Sequence, residues 1–531
     1  MKLTKKLATL AATALLLAAC GSQTTETSTQ SIALASSTSD AREANNTSDG
    51  VSADSWKAGD AVDVPADGKI TEGGVYRVTG THSQGLTVAA PDDALVVLMF
   101  DNAKVSASEG AAINITSAKD VVFHLTGQNS LTGASSQSED DEINAAVHAD
   151  ADITIDGDGS LTVTSEHADG FTTTDDLNLK SGNLTVSAGA DGIRGKDSVV
   201  ITGGTVTVTA GDDGIVSDQD QSEDRGIIDV LGGSLTVSAG GDALQAATDV
   251  ILTGGDAKLT TTGDDKAHGI NAGVLAIIDG ANIDATVTGD GVNSNGNAQL
   301  VSGSLTVNAE DDGVIAANTA SFTGATVKIE NSVEAVEAAN VVVDEGEIEL
   351  HSTDDGINAS TDTGETPALT INGGTLNIYS ATDGLDSNGT LTINGGTTTI
   401  YGPSVSANGA IDVDGTYEFN GGALIAIGRS DMPRNPDSGQ GWLEHQGNFA
   451  AGTEVSVTSA DGEVIASITP DEQSTTLFVS TPDIKNGQSY TITAGGSETT
   501  VTAGENASGF GAGPGGMGGQ PPMGEPPAMP Q

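Results

Sequence analysis

One sentence repeats through this chain. Leu184 to Asp218 reads LTVSAGADGIRGKDSVVITGG and then TVTVTAGDDGIVSD: an alternating apolar run, a small-residue corner, Asp-Gly-Ile, a polar turn, a second apolar run and Gly-Gly. Asp169 to Asp191 is 22 residues, and Asp191 to Asp213 is 22 again. The series continues through Asp242, His268, Asp290, Asp312, Glu334, Asp355 and Asp383 in steps of 29, 26, 22, 22, 22, 21 and 28. The long steps coincide with the polar insertions Gln219 to Arg225, Gly263 to Lys266 and Thr361 to Thr366. A fixed period with insertions confined to turns specifies a solenoid, each repeat being one coil stacked on the last.

Period-two alternation means strands with one buried face, and the stretches between them are too short for a helix. Leu184 and Val186 form one pair, Ile193 follows the corner, and Val199 and Ile201 precede Gly203-Gly204. Three short strands per turn, stacked on like neighbours, give an all-β parallel β-helix of ~22-residue coils. Two inward columns follow: Leu161, Leu184, Val206, Leu235, Leu305, Val327, Ile348 and Leu376, and Ile193, Ile215, Leu244, Ile270, Val292, Val314, Val336, Ile357 and Leu385. Composition fits. A chain of 531 residues with 3% aromatics and 71 glycines builds a poor globular core, whereas a narrow solenoid interior needs only aliphatic ladders.

Taken in order, residues 1–20 read as an export signal. Lys2, Lys5 and Lys6 make a basic start, Leu7 to Leu17 an apolar stretch, and Leu17-Ala18-Ala19-Cys20 the cleavage box of a bacterial lipoprotein, with Cys20 the lipidated residue. An ordinary secretory peptide ending near Ala19 and a short membrane helix are the alternatives; the apolar stretch is shorter than the ~20 residues a span needs. Cys20 is the sole cysteine, so no intrachain disulfide forms. Residues 21–57, rich in Ser, Thr, Asn and Asp, read as a disordered tether, which places the folded part at the cell surface, anchored to the outer face of the membrane.

Residues 58–160 read as irregular first coils that cap the solenoid, with an acidic loop at Ser138 to Glu142; residues 161–420 are the regular β-helix. Residues 421–503 depart from the repeat around Met432-Pro433-Arg434-Asn435-Pro436 and read as a small antiparallel β cap or sandwich-like module. Residues 504–531, Gly, Pro and Met without periodicity, read as a disordered tail.

The chemistry belongs to the corners. Coils stack roughly 4.8 Å apart, so the Asp of each Asp-Gly should form a file along one edge. Carboxylates at that spacing repel by roughly 3 kcal/mol at an effective dielectric of 20 and about 1 in water. No lysine interleaves the file, and calcium, a hard ion taking six to eight oxygens, fits such a donor set. The candidate ligands are Asp169, Asp191, Asp197, Asp212, Asp213, Asp218, Asp290, Asp311, Asp312, Asp354, Asp355, Asp383 and Asp386, with Asn295 and Asn388 as further oxygen donors. The competing reading is a turn, in which Gly supplies positive φ and Asp bonds its own backbone. His268, Glu334, Ala243 after Asp242, Ala335 after Glu334, and Pro403 where the next Asp is due interrupt the pattern, so sites should cluster around 169–218, 290–312 and 355–386.

Asp152-Ile153-Thr154-Ile155-Asp156-Gly157, Gly159-Ser160-Leu161-Thr162-Val163, Asp169-Gly170 and then DGIRGKDSVVITGGTVTVTAGDDGI closely resemble the calcium-dependent carbohydrate-binding β-helix family known from a clostridial cellulose- and pectin-binding surface protein. Gly73-Gly74-Val75-Tyr76-Arg77-Val78 and the strands near Ser480 to Ala494 are similar too, so the likeness covers most of residues 58–502. The resemblance implies a pectate-lyase-like right-handed β-helix with bound calcium and affinity for plant or acidic polysaccharides, without catalysis as its defining activity.

A net charge of −55 excludes phosphate-backbone binding as the main activity, so no nucleic-acid partner is expected. It would also repel a uronate polymer unless calcium bridged the two. Tyr379 and Tyr401 are the few aromatic candidates, which speaks against stacking as the basis of sugar binding. The runner-up is a polysaccharide lyase or hydrolase acting on uronate polymers. A lyase needs a base, and Arg194 and Lys196 stand beside the corner; a local salt bridge to Asp191 or Asp197 is their plainer reading. The pair Asp212-Asp213 resembles a hydrolase dyad but recurs as Asp311-Asp312 and Asp354-Asp355, which favours structural or metal sites. A non-catalytic surface adhesin is the third class. A Thr file at Thr162, Thr185, Thr207, Thr236 and Thr306 is interrupted by Lys258, Asp284, Lys328 and Glu349 and does not support ice binding.

Overall fold

The computed structural model describes residues 37–505, apart from 138–142, 264–266, 362, 406–407, 430–431 and 433. The export signal with Cys20, residues 21–36 of the tether, the acidic loop at 138–142 and residues 506–531 of the tail lie outside the described residues. Among the described residues, no helix is long and apolar enough to cross a membrane.

Alternation builds a parallel β-solenoid of about 15 turns. In each regular coil an alternating strand such as Asn183–Ser187 pairs with Thr205–Thr209 and that with Ser234–Ala239. A short corner strand, Ile193–Gly195, pairs with Ile215–Ser217, and a third, Ser198–Ile201, with Ile227–Val230. Both expected columns are in register. Leu161, Leu184, Val206 and Leu235 follow one another, and Leu305 through Leu376 continue the line. Between them stand Ala257 and Ile283, which complete that column. Ile193 to Leu385 pair without a gap. These side chains are buried and form one continuous core.

Close stacking of the coils sets where glycine is needed. Gly204 has φ +84, a conformation that favours glycine. Gly192, which follows Asp191, needs no positive φ. A Cβ there would stand 2.2 Å from Val208 Cγ1 and 2.5 Å from Gly214 O of the next coil. The Asp-Gly pair is therefore a close-approach device, and the turn reading based on positive φ is corrected.

Residues 37–57 are not a tether. Ser37 caps a helix, Thr38–Ala44, its hydroxyl accepting from Asp40 N–H at 3.2 Å. Ala41 packs on Ile251, Leu275 and Ile277, while Val51 and Trp56 pack on Val75, Val97 and Val122. Apart from Leu275, which pairs with Asp249, those partners belong to one outward file of the third sheet, running Val75, Val97, Val122, Thr154, Asn178, Val200, Asp229, Ile251, Ile277. Residues 37–61 thus form a strap laid along that sheet against the direction of coil progression. Its polar links are Thr38 to Asp279, 2.7 Å, Arg42 to Asp229, 2.5 Å, Asn45 to Asp249, 3.0 Å, and Val51 N–H to Thr154, 2.9 Å. Apolar outward residues needed a cover, and the tether reading overlooked them.

The coils also persist past residue 421. Ala423–Gly428 pairs parallel with Thr397–Tyr401, and Ser438–Gly439 with Tyr417–Phe419. The last solenoid edge is then closed by Ser474–Ser480, antiparallel to Ala423–Gly428, which pairs in turn with Trp442–Phe449. Val455–Thr458, Val464–Ile468, Ser489–Ala494 and Ser497–Thr502 form a separate antiparallel sheet, and the module has its own core around Leu443, Phe449, Leu477 and Ile492.

Candidate metal centre

The loop between the alternating strand and the corner strand places the repeated Asp at the same height in every coil. Gly189 and Gly211 permit this, since a Cβ on Gly211 would lie 2.2 Å from Gly189 O. The acidic corners consequently stand in a file, and their side chains do something the local-turn reading did not foresee. Oδ1 of each Asp accepts the backbone N–H of the residue one coil onward: Asp169 from Asp191, 3.2 Å, Asp191 from Asp213, 3.2 Å, and Asp213 from Asp242, 2.7 Å. Farther along, Asp242 accepts from His268, 2.7 Å, Asp290 from Asp312, 2.9 Å, and Asp312 from Glu334, 2.9 Å. Asp355 accepts from Asp383, 2.8 Å, and Asp383 from Gly409, 2.6 Å. Each carboxylate ties two coils through one oxygen and leaves the other for something else.

His268 continues this ladder, whereas at Glu334 a side-chain amide takes the place of the backbone rung. His268 Nδ1 lies 3.0 Å from Asp290 N and 3.1 Å from Asp290 Oδ2, so a neutral ring accepts the rung and a protonated ring pairs with the carboxylate. Glu334, one methylene longer, receives Asn358 Nδ2 on both oxygens at 3.2 Å. The corner position after Asp383 is Gly409, because Leu385 pairs with Ile411. Pro403 does not occupy it, which corrects the reading of that break; the insertion before Gly409 had displaced the count.

The second oxygen distinguishes the file's members. Asp169 is saturated: Oδ2 accepts from Asn144 at 3.0 Å and from Thr172 at 3.2 Å. Asp197 pairs with Arg225 and accepts from Gln219 at 3.2 Å, and Asp218 pairs with Arg194. Those two are arginine-neutralised and stand apart from the carboxylate groups. Arg194, a candidate base, thus donates to Asp218 of the following coil, and neither Asp191 nor Asp197 is its hydrogen-bond partner. Asp354 and Asp355 share the Thr382 hydroxyl. Asp386 sits on the corner strand above Asn358 and below Asp412. The structure does not draw Asp354, Asp355, Asp383 and Asp386 into a group as close as the two that follow.

Asp191, Asp212 and Asp213 each offer a carboxylate oxygen, all within 4.8 Å of one another, and Asp290, Asp311 and Asp312 do the same. Two oxygens bound to one calcium at 2.3–2.6 Å lie at most about 5 Å apart. Both triads fit that limit, and each provides three hard oxygen donors of the six to eight required.

Electrostatics set these groups apart. Burial first, then the charges of Asp169 and Asp213, push the Asp191 carboxyl up to about 7. Burial pushes Asp213 up to about 6, against the opposing bond from Asp242 N–H. Asp312 is raised to about 7 by burial, with Asp290 and Asp311 adding to it, and Glu334 to about 8 by burial and then Glu337. At the far end burial raises Asp383 to about 6, and burial followed by Asp355, Asp383, Asp412 and Asp414 raises Asp386 to about 7. Asp412 and Asp414 were not among the candidate ligands. Their signal was Ile411-Asp412-Val413 repeating Leu385-Asp386-Ser387, legible only once Gly409 is placed at the corner.

The fold and site define a parallel β-solenoid with an edge of closely spaced, buried carboxylates, a scaffold open to many functions, and comparison narrows it. Residues 66–332 and 301–509 match the family described as carbohydrate-binding domain-containing protein, and the chain belongs to that family. A carbohydrate-binding domain-containing protein of Acetivibrio thermocellus is 35% identical over 127 residues, 23% of this chain and 44% of that protein. The chain thus spans less than half the length of that relative. A solved polysaccharide lyase-like protein from C. thermocellum, a gadolinium derivative, is 28% identical with a TM-score of 0.37, covering 48% of this chain and 91% of that one.

Proposed function

We propose that this protein is a non-catalytic, calcium-dependent carbohydrate-binding protein, held at the cell surface by a lipid on Cys20. Membership of a carbohydrate-binding family gives the ligand class. The observation that carries the finer reading is the pair of triads, Asp191/Asp212/Asp213 and Asp290/Asp311/Asp312, whose oxygens lie within the span of one ion. Carboxyls raised toward neutrality by burial are groups whose ionised form lacks a counter-charge, and a divalent cation supplies it. Calcium, when bound, would neutralise the file and offer a bridging site for the carboxylates of an acidic polysaccharide.

The residues divide the work. Asp213 and Asp312 hold the coils in register through Oδ1, while the exposed Asp212 and its counterpart Asp311 bring the outer oxygen of each triad. Arg194, engaged with Asp218, is not poised as a base, which favours binding over lyase chemistry. Surface anchoring is supported by Lys2, Lys5, Lys6 and the Leu17-Ala18-Ala19-Cys20 box.

Affinity electrophoresis through polygalacturonate tests the reading. Retardation is expected in calcium and lost in EDTA, with unchanged far-ultraviolet circular dichroism. Retention that survives exhaustive chelation would overturn the calcium bridge, and the appearance of unsaturated uronates would replace binding by catalysis.

A further inference from the structure

The two ends of the rod are finished differently. At the far end Ser474–Ser480 lies antiparallel on Ala423–Gly428 and closes the alternating sheet. At the near end that sheet begins with the last part of Gly74–His82, where Thr79 to His82 pair forward with Asp101 to Val105. Among the described residues no strand pairs with Thr79 to His82 on the other side. Inward positions there are open. Gly80 is exposed and His82 half-buried, although their register partners Ala103 and Val105 are fully buried. Val62, which heads the inward column of Tyr76 and Leu98, is 57% exposed.

We propose that this end is a self-association surface, where Thr79 to His82 of one copy pair antiparallel with the same strand of a second copy, about a two-fold axis beside Thr81. An edge strand with unpaired N–H and C=O groups is a template for another strand. A strand that meets itself across a two-fold axis does so antiparallel, which is the sense in which the far end is already closed. His82 Nε2 lies 3.1 Å from Thr79 O, so the ring folds back and leaves Gly80 and Thr81 as the open centre of the edge.

Charge selects a second copy as the occupant. A chain of net charge −55 repels its own copies. Between Lys57 and His82, however, three basic residues, Lys57, Lys69 and Arg77, stand against four acidic ones, Asp60, Asp63, Asp67 and Glu72, so that repulsion is weak at this tip. In the next rung Asp101 lies beside Thr79 and Lys104 beside Thr81, both exposed. Antiparallel pairing therefore sets the acidic end of one edge against the basic end of the other, twice over, and the contact is self-complementary. Its extent is the cross-section of one solenoid, which places the pair in the weak, concentration-dependent class. The surface uses neither the acidic triads nor any glycan, and it is tested without either.

The test is sedimentation velocity of the full chain carrying Cys20→Ser, which removes the lipid site and the sole thiol. The runs are made in EDTA from about 1 to about 200 µM, a range that spans a weak interface. This parent should pass from monomer to dimer across the series. Thr81→Asp and Thr81→Lys each place like charges side by side at the axis and should weaken dimerisation roughly tenfold. An equimolar mixture of the two should dimerise again. Thr81 is exposed, so both variants keep the fold, with circular dichroism as the check. Val464→Asp, at an exposed position of the C-terminal module, should change nothing. A parent that stays monomeric throughout overturns the proposal, as does dimerisation undiminished in both Thr81 variants, a mixture that fails to recover, or an equal loss in Val464→Asp.

Discussion

Two faces of the solenoid bury aspartates, and they neutralise them differently. On the third sheet, Asp229 is 5% exposed and receives Arg42 from the strap at 2.5 Å, while Asp249 receives Asn45. On the corner, Asp191 and Asp312 face other carboxylates, and their strongest perturbations after burial and backbone bonding are acidic neighbours. Arg194 feels the charge of Asp169 and Asp191 yet donates to Asp218. The chain therefore carries its own counter-charge where it closes a surface. Where it leaves the charge uncompensated, it does so in a geometry that suits an external cation.

The largest effect should come from opening the closed face. Arg42→Ala strands Asp229 in a buried position and should lower unfolding stability by about 3 kcal/mol, read by denaturant titration, with early proteolysis of the strap. A loss near zero would mean that the strap contributes nothing and would remove one side of the contrast. Next, calcium at a hundred times its dissociation constant should stabilise the wild type by about 2.7 kcal/mol, and isothermal calorimetry should show binding that Asp212→Asn with Asp311→Asn abolishes. Heat of binding unchanged in that double variant would break the assignment of the triads.

A third test uses pH. In the fold, Asp191 and Asp312 titrate near 7 and Asp213 near 6, against about 3.9 when unfolded. The folded state holds more protons between those values, so metal-free stability is fully present below about 4 and falls as pH rises through 6 and 7. Each such carboxyl contributes a slope of about 1.4 kcal/mol per pH unit. Melting temperature in EDTA should rise on acidification from pH 8 to pH 5, and calcium should flatten the profile. A metal-free profile that rises toward alkaline pH would contradict the uncompensated corner.

The smaller effects sharpen the comparison. Asp191→Asn keeps an Oδ1 acceptor for Asp213 N–H and removes one charge, so it should stabilise the metal-free protein at pH 8 by about 1 kcal/mol, the opposite sign to a change at Asp229. Asp169→Asn should move calcium affinity least, because both Asp169 oxygens already have donors.

The inward columns were legible because a period-two pattern repeated every 22 residues fixes both strand and coil register. Only the weakest member of the line, Ala257, and its neighbour Ile283 escaped. The corner file was equally legible, but the partner of each Oδ1 was not: the donating N–H is one coil away, and a dipeptide read alone suggests only a local turn. The strap was missed for a compositional reason. Its polar residues resemble a tether, and its cover role depends on Val75, Val97 and Val122 facing outward, which a continuous apolar run does not reveal. Tyr379 and Tyr401 looked like scattered aromatics 22 residues apart, and that same spacing is what stacks them.

The strap has a mechanical corollary. It joins the rod beside Asp279, well past the opening coils, and runs back toward Val75. A pull applied at Ser37 would load the short helix and its Arg42 clasp before it reached any coil, so the flank would peel while the stacked rungs stayed intact.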